Sequence, residues 1–139
     1  MNYYDFALKD YNMMKLAHSS SNDYDSIVVM GQQYLEKALK HLLELKCCET
    51  SRSHKITVII QKLGIVDFNI HEDYFRKIQD YYFDKRYPGD NYIETTKVEC
   101  EYLVDFVDKM KPIIESYINL YSKSKENESV KRCNVFDDI

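Results

Sequence analysis

The sequence predicts an all-α fold, and three observations carry that expectation. Only 3 Gly and 2 Pro occur in 139 residues, too few turn formers for a chain of many short strands. Apolar residues recur at spacings of three and four over long segments, the period of a helix with one buried face. Short polar breaks rich in capping residues separate those segments. The chain is 45% hydrophobic and 30% charged, and its length suits one domain that buries a core without metals or disulfides.

The first segment, residues 2–18, places Tyr3, Phe6, Ala7, Met13, Met14 and Ala17 on one stripe. The run Ser19 to Asp23 breaks the pattern and offers caps. From Tyr24 to Lys46 the residues Ile27, Met30, Tyr34, Leu35, Ala38, Leu42 and Leu45 share one side. Glu36 and Lys40 stand in the favoured order for an ion pair, and Gly31 in mid-helix reads as a point of close packing. A polar stretch, Glu49 to Ser53, ends with Ser53 as N-cap of a short helix over HKITVIIQKL that Gly64 terminates. The β-branched run Ile56 to Ile60 has no partner strand elsewhere, so helix is favoured over strand.

A fourth segment covers Glu72 to Asp84, with Tyr74, Ile78, Tyr81 and Tyr82 near helical spacing. The fifth runs from Ile93 to about Tyr121, and its face includes Val98, Leu103, Phe106, Val107, Met110, Ile113, Ile114 and Tyr117. Pro112 inside it predicts a kink or break. The organisation expected is thus one helical domain over residues 1–121 and a flexible polar tail over 122–139.

Charge and composition narrow the function. A net charge of −4 is unlike a general nucleic-acid coat, so any nucleic-acid contact must come from a local patch. The N-terminus MNYYDFALKD lacks the pattern of a secretion signal, and the longest aliphatic run, ITVII, is far short of a membrane span. A cytoplasmic location without membrane contact is expected. Cys47, Cys48, Cys100 and Cys133 show no Cys-x-x-Cys spacing and read as reduced and structural, with no metal site and no cofactor expected.

One loop, KRYPGDNY from Lys85 to Tyr92, carries the chemistry that stands out. Tyr87 before Pro88 leaves helical angles, and Pro88-Gly89 suits the centre of a type II turn. Asn91 with Glu94 three residues on forms a capping-box pattern for the fifth helix. Arg86 then stands near a helix start, where N–H groups favour phosphate, and Lys85 adds a second charge. Tyr87 and Tyr92 have rings on which a base stacks. The same residues also make an ordinary turn, with Arg86 paired to Asp84, Asp90 or Glu94. Residue chemistry alone leaves both readings open and leans to the turn.

Taken with GQQYLEKALKHLLEL (Gly31 to Leu45), the opening YYDFALKDYNMMKLA and SHKITVIIQKL, this loop makes residues 3–121 resemble the HEPN family. These are small helical domains of higher eukaryotes and prokaryotes named for nucleotide binding. The resemblance implies an up-and-down bundle of four to five helices that dimerises with two arginine loops facing one cleft. Many members are metal-independent RNases of toxin–antitoxin and defence systems; others are non-catalytic or work beside a small nucleotidyltransferase.

RNase members carry an arginine, four to six residues, then histidine. Arg86 matches the arginine, but Asn91 stands where histidine is expected, and no histidine follows His71. Tyr92 lies near the position of a tyrosine found in some toxin members, and Tyr87 replaces the polar residue often found after the arginine. Asparagine takes up no proton near neutral pH, so Arg86 is left to stabilise phosphate charge without an evident acid or base. Of the histidines, His54 is the best placed for recruitment across a dimer, while His18, His41 and His71 read as surface or boundary residues. Three readings follow: a module binding nucleotide or RNA phosphate through Lys85, Arg86, Tyr87 and Tyr92; an RNase using Arg86, Asn91 and Tyr92; and a structural dimer partner of a nucleotidyltransferase.

Overall fold

A computed structural model of the chain describes residues 2–48, 53, 55–86 and 94–137, with side chains outside 81–86 and 125–137. Among the described residues there are six helices and no strand: α1 (Tyr3–Ser20), α2 (Tyr24–Cys47), α3 (Ile56–Leu63), α4 (Val66–Asn69), α5 (Glu72–Arg86) and α6 (Lys97–Asp137). The four long helices make an up-and-down bundle, as expected, and α3 packs across α2 and α5.

Helix α2 is the axis of the bundle, because its sequence leaves it apolar on most sides. Ile27, Val28, Tyr34, Leu35, Ala38, Leu39, Leu42 and Leu43 are all buried. A helix apolar all round needs neighbours all round. α1 runs antiparallel to it after a three-residue link, so Met14 lies by Gly31 and Tyr11 by Tyr34. α6 runs parallel to α2, with Asp25 bonded to Thr95 near one end and Lys46 over the Tyr121 ring near the other. α5 returns antiparallel on α6, where Phe106 receives the rings of His71, Tyr74 and Phe75 at centroid distances of 5.4, 4.6 and 5.3 Å.

Gly31 has the role its sequence suggests. A Cβ there would stand 3.0 Å from Met14 Sδ and 3.2 Å from Leu103 Cδ2, so the missing side chain lets α1 and α6 close on α2. Gly64 ends α3 with a positive φ of 62°, and Lys46 Nζ donates to the carbonyl of Leu63 at 2.5 Å, tying that end of α3 to α2. The Glu36–Lys40 pair is present at 3.3 Å and nearly buried.

Three expectations are corrected. The inner face of α1 is not the stripe of Tyr3, Phe6 and Met13, which are exposed. It is Tyr4, Ala7, Tyr11 and Met14, turned inward because the two tyrosine hydroxyls have partners there: Tyr34 at 3.3 Å and Asp108 at 2.7 Å. The start of α3 is Ile56 with Lys55 as N-cap residue, and the Ser53 hydroxyl accepts from the Lys55 amide. α6 passes through Pro112 without a break and spans Lys97–Asp137.

Candidate functional site at the α5–α6 junction

Lys85 and Arg86 are the last two residues of α5. Tyr87, Asn91 and Tyr92 lie outside the described residues, as does His54. Because α5 and α6 are antiparallel, Arg86 ends its helix at the end of the bundle where α6 begins. The nearest helix terminus to Arg86 along the chain is therefore a C-terminus, whose partial negative charge favours cations. Arg86 lies eight residues beyond Ile78, about 12 Å along the helix axis.

The described chain resumes at Glu94, and here the expected cap is corrected. α6 begins at Lys97, and its cap is Thr96. Thr96 Oγ1 accepts from the Glu99 amide at 3.2 Å, while Glu99 Oε1 accepts from the Thr96 amide at 3.3 Å and hydroxyl at 2.9 Å. This is a capping box five residues later than the Asn91–Glu94 pattern. One residue earlier, the buried Thr95 donates its amide to Asp25 Oδ1 at 2.8 Å, which anchors the chain to the first turn of α2.

These bonds decide the electrostatics at the start of α6. Two carboxylates, Asp25 and Glu99, already hold amides at this end, and the exposed Glu94 adds a third negative charge. A phosphate placed there would meet like charges, which repel it. The helix terminus is thus not the anion site that the sequence pattern suggests. Lys77 and Lys97 are the described cations nearest this end, and Lys85 and Arg86 close α5 there.

Between the two helices the surface is hollow. Val28, Val29, Tyr74, Ile78, Thr95, Glu99 and Leu103 line an apolar cleft that reaches α2. The Thr95 hydroxyl faces no hydrogen-bond partner among the described residues. Outside it, Tyr74, Lys77, Val98, Glu99 and Tyr102 form a shallower groove. The Tyr74 and Tyr102 rings meet edge to face at 4.9 Å, and Tyr102 is largely exposed. Lys77 is the described cation of this groove.

No described histidine reaches this cleft. His18 bonds Glu101 at 2.9 Å on the α1–α6 seam. His41 is buried near the far end of α2, its ring stacked on Tyr4 at 6.2 Å. His71 precedes the opposite end of α5, and burial with the nearby Lys109 charge lowers its pKa. No described histidine is therefore placed to transfer a proton here.

The residues that sequence reading missed at this junction are Asp25, Thr95, Thr96 and Tyr102. A signal for one of them exists: Thr96 stands three residues before Glu99, the same spacing as Asn91 and Glu94. Elsewhere, Tyr11 and Lys15 converge on Asp108, with Lys15 Nζ at 2.8 Å. Burial alone would raise the Asp108 pKa, but the bonds from Lys15 and Tyr11 outweigh it and lower it. Burial and that same bond push Tyr11 up to about 12. This seam joins α1 to α6 and serves the fold.

Among the described residues no helix is long and apolar enough to cross a membrane. No curated protein and no solved structure matches the chain. The family model of the HEPN domain matches residues 2–117.

Proposed function

Because this chain belongs to the HEPN domain family, we propose that it binds nucleotide or RNA phosphate through the Arg86 loop and cleaves RNA weakly or not at all. The binding unit is residues 1–121, with 122–139 a polar tail. The observation that most supports this reading is the position of Lys85 and Arg86, two cations in the last turn of α5 at the end where α6 starts. Arginine presents a planar fork of donors that fits phosphate oxygens, and lysine adds a point charge. Tyr87 and Tyr92 supply rings for a base.

The weak-cleavage half rests on the histidine census. Asn91 replaces the expected histidine, and His18, His41 and His71 are engaged or distant. The family setting adds a homodimer, a toxin–antitoxin or defence role, and a small nucleotidyltransferase as a candidate partner. Asn91→His tests the reading. It is expected to gain metal-independent cleavage of RNA in EDTA while wild type has little. Strong cleavage by wild type that Arg86→Ala abolishes would instead establish the RNase reading, with Arg86, Asn91 and Tyr92 as its residues.

A further inference from the structure

Buried polar groups are normally paired, and each exception calls for an explanation. Thr95 is 9% exposed, and Asp25 holds its amide, yet its hydroxyl meets no partner among the described residues. That hydroxyl belongs to the wall of the cleft between α5 and α6. Gln32 is 1% exposed, and neither atom of its amide is bonded. It stands one turn beyond Val28, a wall residue of the same cleft, on α2.

The space in front of Thr95 has two parts. The inner cleft is a void of about 20 Å³ between Val28, Ile78 and Leu103, enough for one water-sized polar group. The outer groove, between Tyr74, Val98 and Tyr102, holds about 290 Å³. The two share Tyr74 and Glu99. A flat ring in the groove, with one polar edge turned inward, fills both. Its faces meet apolar and aromatic surface, and its edge meets the Thr95 hydroxyl, which both donates and accepts. The Glu99 carboxylate at the rim repels a phosphate, so a neutral group is what enters.

We propose that this groove seats one unpaired base of a single-stranded RNA, a reading that rests on the phosphate binding at Arg86 proposed above. Tyr102 is 61% exposed and meets Tyr74 edge to face at 4.9 Å, so its ring is a stacking face on a supported side chain. Lys77 sets a cation at the edge of the groove for the backbone of the strand. Ile78 in the cleft wall lies about 12 Å along α5 from Arg86, and the strand runs from one to the other. A base in a duplex has its edge occupied by its complement and its faces by its neighbours, so the seat selects single strands.

Fluorescence anisotropy of the full chain in EDTA tests it with three labelled probes: a short RNA strand, the same strand with abasic sugars, and the strand annealed to its complement. Wild type is expected to bind the intact strand about tenfold or more tighter than either of the others. Tyr102→Ala is expected to weaken the intact strand about tenfold and the abasic strand little. Thr95→Val keeps the side-chain shape and removes a hydroxyl without a partner, so the melting temperature is expected not to fall. It is expected to weaken the intact strand about threefold to tenfold and to leave the abasic strand unchanged. Equal binding of intact and abasic strands, both weakened by Arg86→Ala, overturns the base seat and leaves the phosphate reading in place. A preference for the intact strand that survives both Tyr102→Ala and Thr95→Val puts the base elsewhere and overturns it too. Binding of none of the three probes overturns both readings.

Discussion

Gly31 is where three helices come closest, and its cost and benefit are both measurable. Alanine is favoured over glycine inside a helix by about 1 kcal/mol. Against that, its Cβ would press on Met14, Leu103 and Val107 at 3.0, 3.2 and 3.4 Å. Overpacking of a tight core costs about 1–3 kcal/mol. We expect the clash to win, so that Gly31→Ala lowers unfolding free energy by about 1 kcal/mol in a urea titration. A gain in stability would mean that α1 and α6 yield more easily than their packing implies. Asp108 makes a second residue-scale test. Its pKa is depressed, so its contribution is present above the ordinary value of 3.8 and is lost as pH falls below that through the folded value. Asp108→Asn is expected to flatten this part of the acid limb of stability. An acid limb of unchanged slope would show that the Lys15 and Tyr11 bonds add nothing.

At the scale of elements, the start of α6 shows what a sequence conveys and where it stops. Two successive patterns, Asn91-x-x-Glu94 and Thr96-x-x-Glu99, have equal claims as capping boxes. The choice between them comes from Asp25, seventy residues away, which takes the Thr95 amide and sets the entry of the chain. Thr96→Ala is accordingly expected to cost about 0.5–2 kcal/mol. Asn91→Ala is expected to cost less; the reverse order in thermal denaturation would restore the earlier start. The same logic explains α1. Apolar residues lie on two of its faces, and the tertiary partners of Tyr4 and Tyr11 go with the face that turns inward. By contrast the extent of α2 was legible, but not how much of it is covered: the sequence reading put its apolar residues on one side and His41 at the surface, whereas Val28, Leu39, Leu43 and His41 are buried as well, because helices pack on several sides of it. Gly31 and Gly64 were legible too, since few residues suit close approach or a positive φ. α4 was invisible because four residues carry no period.

On the scale of the whole molecule, α2 holds α1, α5 and α6 in an alternating bundle, and this brings the end of α5 to the start of α6. The start of α6 carries the carboxylates Asp25, Glu94 and Glu99 beside it or on it, and α5 ends with Lys85 and Arg86 at the same end of the bundle. A mixed site of that kind is expected to bind phosphate modestly and to lose it as salt rises, because each cation–phosphate contact releases condensed counterions. The charge balance also explains why a chain of net charge −4 is expected to bind RNA locally and not along its surface. The most direct test is RNA binding in EDTA by wild type and Arg86→Ala at two salt concentrations, with the RNA recovered and sized afterwards. The account predicts that wild type binds, that added salt and Arg86→Ala each weaken binding, and that the recovered RNA is intact. Equal binding by the two proteins, or RNA cut by wild type and spared by Arg86→Ala, would contradict it.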